Sequence, residues 1–402
     1  MTSRAPAAGA RDGLLLGTAY WTSFGALAAS APFLALVLGD VGFAAPDVAQ
    51  LLAVFLLVRV LAIPTWTWMA DRTHAVAGTL RLASAGGLAS FAVLLLGPPR
   101  AAVAVALLAF AFFRAPFGAL LDTLMLRAAR ASGAVFGAVR AWGTAGYAIC
   151  ALVTGKLLAL HGTRAMIWGA TALLAAALAT SFAVHDGGEA KPERHEANAR
   201  DLFAVFRRPR ILLLLLIALL EELGLAPYDN LFPSYLARVA GADAAGTAVA
   251  LGAAAEFVFM LAAPRLARRL GPERLLALAC AGSALRWAGI AVSTSPLVLV
   301  GLQAFHALSF GAFYMSSVIM VDRETPPALR ASGQGLFGSL TFGVAASIGV
   351  SMAGLLERRA GGMTAIFGVA AVASVAATLL ALFFPAPSST AERSTPLVEP
   401  GG

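Results

Sequence analysis

Ionisable side chains occur inside stretches of this chain that are otherwise apolar. A charge at the centre of a membrane helix costs about 2.5–3.5 kcal/mol on insertion scales, so such residues face one another or a water-filled cavity. They could form structural ion pairs between helices, or line a polar pathway through a membrane protein. Because the chain has ten such residues, a polar pathway is the favoured interpretation. The residues are Arg59, Arg114, Asp122, Arg140, Glu221, Glu222, Asp229, Glu256, Arg286 and His306.

The spacing of one set predicts a solute-binding face. Arg140, Thr144 and Tyr147 are separated by four and three residues, so they share one side of a helix. A cation, a hydroxyl and an aromatic ring on one stripe suit a small polar or anionic solute. Farther along the chain, Glu222 and Asp229 are seven residues apart and also share a helix face.

The elements that carry these residues are predicted to be membrane helices. Hydrophobic residues make up 59% of the chain and charged residues only 12%, about half the usual charged share of soluble domains. Segments of about 20 apolar residues recur, which is the length needed to cross the bilayer core, and in lipid they must be helical. We predict twelve, at 13–38, 47–69, 78–97, 101–126, 136–160, 164–184, 211–237, 244–264, 275–294, 296–320, 332–356 and 362–384.

An internal repeat divides the chain into two similar halves. The tetrapeptide Arg-Ala-Ser-Gly stands at 130–133 and again at 330–333, an offset close to half of the 402 residues. Two related apolar units are typical of secondary transporters, which bind substrate between their repeats. We therefore predict an all-α integral membrane protein with two pseudo-symmetric six-helix bundles. The segments are a cytoplasmic N-terminus (1–12), the first bundle (13–184), a cytoplasmic linker (185–210), the second bundle (211–384) and a disordered cytoplasmic tail (385–402).

The net charge of +8 is explained by topology and does not indicate nucleic-acid binding. Lys and Arg concentrate in alternate connections, as at 200–210 and 265–274. This bias predicts a multi-pass protein of the inner (cytoplasmic) membrane with both termini in the cytoplasm. Cys150 and Cys280 stand alone in apolar segments. Since neither a metal-ligand spacing nor a nucleophile–base set is present, we expect no enzyme, no metal and no cofactor.

Two turns resemble a motif of the major facilitator superfamily. The segment Ala70-Asp71-Arg72 is similar to the acidic-basic turn between helices two and three of that family. A second copy, beginning with Arg268-Arg269, follows the eighth predicted helix. The resemblance implies that these residues latch a cytoplasmic gate.

The predicted fifth helix and several second-half residues resemble lactose permease and its relatives. In that branch an arginine and an aromatic seven residues later contact the sugar, as Arg140 and Tyr147 would here. An acidic residue eighteen positions earlier, Asp122 in this chain, pairs with that arginine. The other residues that match the branch are Tyr228, Asp229, Glu256, Arg286 and His306. The segments Val139-Arg140-Ala141-Trp142-Gly143, Arg286-Trp287 and Gln303-Ala304-Phe305-His306 are more similar to 3-phenylpropionate permeases.

One departure concerns proton coupling. Lactose permease has a glutamate three residues after the histidine, where this chain has Ser309. Coupling would then need another carboxylate, with Glu222, Glu221, Asp229 and Glu256 as candidates. Arg286 and His306 would adjust the proton affinity of that carboxylate.

The resemblance implies a transporter that works by alternating access, which we interpret as a proton-coupled symporter. Asp122, Arg140, Thr144, Tyr147, Glu256 and His306 would bind the solute. The alternative is a proton-coupled efflux antiporter for a drug or secondary metabolite. The aromatic residues that keep it open are Phe310, Phe313, Tyr314 and Trp287. The partners would be a small solute, protons and lipid, and the protein would be a monomer. An aromatic carboxylate, a sugar or a nucleoside would each suit the site.

Overall fold

The computed structural model describes residues 5–132, 136–186, 199–326, 329–359 and 362–384. These residues form helices and short connections, with no strand among them. Within these described ranges, eleven segments are long and apolar enough to cross a membrane. One of these segments, Ala141–Ala183, covers both the fifth and the sixth predicted helix. The chain bends between the two helices at Gly162 (φ 73°, ψ −175°). The predicted all-α membrane fold is confirmed.

We label the membrane helices α1 to α12. The first half contains α1 (Ala5–Ser30, continued by a 3-10 turn at Ala31–Phe33 and by Leu34–Asp40), α2 (Ala45–Thr73), α3 (Val76–Ala92, then a 3-10 turn at Val93–Leu96), α4 (Arg100–Arg114 and Phe117–Ser132), and α5 and α6 (Phe136–Ala183, divided at Gly162). The second half contains α7 (Pro209–Ala240), α8 (Ala242–Leu270), α9 (Pro272–Val292), α10 (Pro296–Gly301, Leu302–Phe305, Ala307–Ala312 and Phe313–Glu324), α11 (Arg330–Ser339, Leu340–Ala345 and Ala346–Arg359) and α12 (Gly362–Leu382).

The segments predicted outside the bundles are described only in part. Inside the predicted linker 185–210, a linker helix forms at Ala199–Phe206, and Val205 and Phe206 at its end are buried. Residues 187–198 and the tail 385–402 lie outside the described residues, as do residues 1–4 of the N-terminus. The predicted domain limits therefore remain predictions.

Tight turns keep successive helices antiparallel. Gly241 joins α7 to α8 with φ 90°, and Gly271 joins α8 to α9 with φ 79°. Glycine adopts this left-handed backbone at little cost, whereas a side chain with a Cβ would be strained. One residue is therefore enough to reverse the chain at each point.

The two halves pack together at one end of the bundle and separate at the other. We call the end with residues 42, 97, 162 and 241 the distal end, and the end with residues 5, 74 and 384 the proximal end. A single apolar core near the distal end includes residues of both halves, such as Leu34, Leu52, Phe110, Leu225, Phe232 and Val350. Toward the proximal end the described residues form separate cores, one with Leu16, Leu80 and Leu121 and the other with Leu214, Leu276 and Phe313. The space between the halves therefore opens proximally.

At the distal end, the two halves approach each other through a contact between the backbones of α5 and α8. A Cβ added at Gly246 of α8 would lie 2.8 Å from the Ala151 oxygen and 2.9 Å from the Gly155 Cα of α5. Helices in membranes approach this closely only through small residues. The two glycines thus let the halves meet backbone to backbone.

A leucine at Gly246 is expected to prevent this contact. Overpacking of this kind costs about 1–3 kcal/mol, so Gly246→Leu should lower the melting temperature in detergent and reduce transport strongly. Gly301→Leu is the matched control, because no atom lies within 4 Å of a Cβ added at Gly301. Equal behaviour of the two variants would contradict the assigned role of the crossing.

Candidate functional site

Arg286 organises the polar centre of the second half. Its side chain is fully buried on α9, between α7 and α10. One terminal nitrogen donates to Ser309 Oγ at 2.6 Å and lies 3.1 Å from His306 Nδ1, while the other donates to Gln303 Oε1 at 2.6 Å. All three partners are neutral groups of α10. Arg286 therefore fixes α10 side chains without forming a direct ion pair with them.

Two aromatic faces complete the surroundings of Arg286. Its guanidinium carbon lies 3.8 Å from the ring centroid of Tyr228 on α7 and 4.7 Å from that of Trp287. An aromatic face attracts a cation electrostatically, and the attraction is strongest where water is excluded. The rings thus stabilise a charge that is costly to bury.

The Tyr228 ring is predicted to contribute measurably to stability. Replacing Tyr228 by leucine should lower the free energy of unfolding by about 2 kcal/mol, the value for a desolvated cation–π contact. Tyr228→Phe keeps the ring face and should retain most of this stability. Thermal unfolding of both variants in the same detergent measures the difference, and equal melting temperatures would refute the contribution.

The hydrogen bond from Arg286 sets the orientation of the His306 proton. An arginine only donates, so His306 Nδ1 accepts and Nε2 carries the hydrogen. That Nε2 lies 3.7 Å from Glu256 Oε2 on α8. Arg286, His306 and Glu256 thus form a series from the buried core to the cavity. The structure brings these three sequence-predicted residues together.

Glu222 and Asp229 of α7 lie in two different environments. Glu222 is buried at 2% exposure, and its charged neighbours are Asp229, Glu221 and, from the first half, Arg59. Asp229 is open to water, although Arg286 and Arg59 both lie within electrostatic range of it. Asp229 is therefore the α7 carboxylate that reaches the cavity.

The first half contributes Tyr147 to the same cavity. Its phenol lies within electrostatic range of Asp229, Tyr228 and Glu256, which all belong to the second half. Thr144, one turn earlier on α5, is half-buried. Tyr147 of the predicted α5 face thus lies near acidic residues of the other half.

The predicted pair of Asp122 and Arg140 is described only on one side. The hydroxyl of Tyr20 on α1 donates to Asp122 Oδ1 at 2.5 Å. The side chain of Arg140 lies outside the described residues. Its pairing with Asp122 therefore stays a prediction.

Arg59 on α2 and Arg114 on α4 belong to the site, although we had not assigned them to it from the sequence. Arg59 has Glu222 and Asp229 as charged neighbours, and Arg114 has Arg59 and Tyr147. The signal in the sequence that points to them is their position: both are ionisable residues inside apolar segments.

Stacked aromatic rings form one wall of the cavity on α10. His306 and Phe310 stack with centroids 5.4 Å apart and planes 6° apart, and Phe310 and Tyr314 follow at 5.8 Å and 11°. Phe342 of α11 packs against both Phe310 and Tyr314. The backbone forms a π-helical turn at Ala307–Ala312, a deviation often found at functional sites. Such a wall suits a planar ring.

The predicted gate residues lie at the proximal end. Arg72 is exposed and its guanidinium lies 5.3 Å from the Trp68 ring centroid. Arg268 and Arg269 are exposed in the last turn of α8, and the side chain of Asp71 lies outside the described residues. Their role in a gate stays a prediction.

Close ion pairs at the proximal end join helices within the second half. Arg210 contacts Glu324 at 2.6 Å and Glu273 at 2.9 Å, which connects the starts of α7 and α9 to the end of α10. The three residues hold these helix ends together as one unit. Such a unit can move as a rigid body when the halves change their relative tilt.

The chemistry available at the site is binding and proton exchange. Carboxylates, an imidazole and guanidinium groups converge on a cavity between two helix bundles. Among the described residues, no group of three or more His, Cys, Asp or Glu is placed to hold a metal ion. The site can therefore bind a solute by charge, hydrogen bonds and ring stacking.

The comparisons with known proteins agree with this architecture. The family model described as MFS_1 like matches residues 14–368. The chain belongs to this family. It is a multi-pass transporter of the major facilitator superfamily, as the resemblance implied. The solved structure of the nucleoside transporter NupG has the same fold, with a TM-score of 0.78, 18% identity and coverage of 93% of this chain and 98% of that one.

Curated relatives with different solutes are similar over most of the chain. The maltose permease of Geobacillus stearothermophilus is 30% identical over 333 residues, covering 81% of this chain and 82% of the relative. The probable 3-phenylpropionic acid transporter of Escherichia coli (strain K12) is 22% identical over 370 residues, covering 91% and 96%. These relatives of the MFS_1-like transporter are permeases and transporters.

Proposed function

We propose that the protein is a proton-coupled symporter that moves a small organic solute by alternating access. The observation that carries this proposal is the group of ionisable residues where the halves face each other. Asp229 and Glu256 lie within electrostatic range of Tyr147 of the first half, and His306 lies 3.7 Å from Glu256. Ionisable residues in such a position mark solute and proton pathways in membrane proteins. The maltose and 3-phenylpropionic acid transporters among the relatives support a small organic solute.

The solute is proposed to bind between α5 and the second half. Tyr147 and Thr144 offer a ring and a hydroxyl from α5, and Arg140 and Asp122 complete the first-half side. Glu256 and His306 face them from the second half. A solute that contacts both halves can stabilise the movement from one orientation to the other, because it makes different contacts in the two states.

The proton is proposed to bind a carboxylate near Arg286. Ser309 occupies the position of the glutamate in lactose permease, so Arg286 has neutral α10 partners at hydrogen-bond distance. Asp229 is the water-accessible carboxylate within electrostatic range of Arg286. We assign proton exchange to Asp229 and Glu256, with Glu222, His306 and Arg286 adjusting it through their charges and hydrogen bonds.

We place the proximal end in the cytoplasm, since basic residues such as Arg207, Arg265 and Arg268 cluster there. The conformation would then be inward-facing. The proposed location is the inner (cytoplasmic) membrane.

Uptake into proteoliposomes tests the coupling. With an acidic exterior, a transported solute such as maltose, uridine or 3-phenylpropionate should accumulate above equilibrium, and a protonophore should abolish the accumulation. Protein-free liposomes are the control. Uptake that does not respond to the gradient would contradict coupling.

The aromatic wall of α10 favours a second candidate, an efflux antiporter for a ring-containing compound. In that case, protons that enter a vesicle would drive the solute out of the vesicle in exchange. Reversing the pH gradient in the same vesicles distinguishes the two functions, because symport and antiport respond with opposite signs.

A further inference from the structure

We propose that Arg59 and Arg114 form an anion subsite that binds the carboxylate of a singly charged organic solute. This inference rests on the proposed function and names the solute class of the same cavity. The two guanidinium groups come from neighbouring helices of the first half. Arg59 lies within electrostatic range of Glu222 and Asp229 of the second half, and Arg114 lies within range of Arg59.

The depth of the two arginines is the same. Arg59 lies fourteen residues after the distal start of α2, and Arg114 lies fourteen residues after the distal start of α4. At 1.5 Å per residue, both are about 21 Å from the distal end. Tyr147 on α5 lies fourteen residues before residue 161, and therefore at a similar depth. The three side chains form one level of the cavity.

Aromatic residues hold α2 and α4 together near this level. Phe55 and Phe110 pack with centroids 6.3 Å apart on the distal side. On the proximal side of Arg59, the Trp66 indole nitrogen donates to the Phe112 oxygen at 3.0 Å. This carbonyl is available because Pro116, four residues later, has no N–H to occupy it. The positions of the guanidinium groups are thus set by the scaffold.

Arg114 is the member of the pair that has no carboxylate among its titratable neighbours. The Nε atoms of Arg59 and Arg114 are buried without a hydrogen-bond partner. Arg114 has the like-charged Arg59 and the phenol Tyr147 as its titratable neighbours, and the partial negative charge at the end of its helix segment offsets only part of its charge. A second cation beside Arg59 is costly in a membrane interior unless a further anion joins it.

The geometry points to a monoanion. A planar carboxylate matches the donor fork of a guanidinium. Glu222 and Asp229 lie within electrostatic range of Arg59 and would repel a more highly charged group such as a phosphate. A monoanion that moves with one proton carries no net charge, so the membrane potential should not drive its uptake.

Binding to the full-length protein in lipid nanodiscs tests the subsite. Acetate, benzoate and 3-phenylpropionate are compared with their amides by thermal stabilisation and titration. At least one carboxylate should bind about tenfold or more tightly than its amide, the effect of roughly one charged hydrogen bond. Arg59→Gln and Arg114→Gln should each remove this preference, whereas the exposed distal variant Arg164→Gln should retain it. Amides that bind as well as every acid would overturn the proposal.

The stability of the ligand-free protein gives a second readout that needs no knowledge of the solute. In the ligand-free protein no solute carboxylate offsets the repulsion between Arg59 and Arg114. Arg114→Gln removes this repulsion and should raise the melting temperature by about 2 °C or more. A clear decrease would mean that Arg114 is structural and would overturn the subsite.

Transport separates this inference from the proposed function. A carboxylate moved by the subsite should be taken up in response to the pH gradient but not to an imposed potential. A neutral solute that accumulates normally in Arg114→Gln would refute the subsite and leave proton-coupled transport intact. Carboxylate binding that Arg114→Gln removes, without any response to the pH gradient, would refute coupling and leave the subsite intact.

Discussion

Replacement of Asp229 by asparagine is expected to abolish uphill accumulation while solute exchange continues. Asparagine has the same shape but cannot take up or release a proton. With a gradient of about two pH units, one coupled proton can support about 100-fold accumulation, since each unit is worth about 1.4 kcal/mol. Asp229→Asn should reduce this ratio to about one. Proteoliposomes measured for both gradient-driven uptake and counterflow provide the comparison.

Two further variants decide whether the effect belongs to Asp229. The exposed distal Asp243, when changed to asparagine, should leave accumulation unchanged. Glu256→Gln tests the other carboxylate that reaches the cavity. If Glu256→Gln shows exchange without accumulation and Asp229→Asn accumulates normally, the assignment of the proton to Asp229 is wrong.

Replacement of Arg286 by methionine is expected to have the second large effect. Ser309 and Gln303 would lose a donor in a buried site, and each unsatisfied buried group costs about 1–3 kcal/mol. His306 would also lose the bond that orients its ring toward Glu256. We expect a markedly lower melting temperature and loss of solute binding.

The lysine variant shows which property of Arg286 matters. Lysine keeps the charge, but its ammonium cannot reproduce the planar fork that reaches Ser309 and Gln303 together. Arg286→Lys should therefore fold better than Arg286→Met and still bind solute weakly. Wild-type binding and coupling in Arg286→Met would contradict the role assigned to this residue.

The sequence was sufficient to predict the helical membrane fold and part of the site. Apolar segments of membrane-spanning length leave the helix as the only structure that satisfies the backbone. Arg286, His306 and Glu256 were predicted from a resemblance; His306 lies 3.1 Å from Arg286 and 3.7 Å from Glu256, and their roles stay predictions. Spacing along α5 predicts that Arg140, Thr144 and Tyr147 share one face, because helix geometry alone determines it.

The rotation of each helix about its axis could not be predicted in the same way. Glu221 and Glu222 are consecutive, yet Glu221 lies among Ser283, Ser374 and Cys280 inside the second half, while Glu222 has Arg59 of the first half as a neighbour. A helix that is apolar around most of its surface does not indicate which side faces its partners. That rotation depends on side-chain packing with the other helices.

The role of Arg59 and Arg114 was missed for a related reason. Arg59 is the only charge in the interior of its segment, and Arg114 shares its segment with Asp122 but has no feature that indicates α2 as its neighbour. They become neighbours only because α2 and α4 pack together. A site assembled from single residues on separate helices is visible only in three dimensions.

The bend at Gly162 has a mechanical consequence. With a single glycine as the connection, α5 and α6 have no slack between them, so a tilt of α5 must displace α6. Trp168 on α6 is 57% exposed, on a surface that lipid covers in a membrane. Each movement of Tyr147 across the cavity therefore rearranges the surrounding acyl chains, and turnover should vary with bilayer thickness even when the driving gradient is constant.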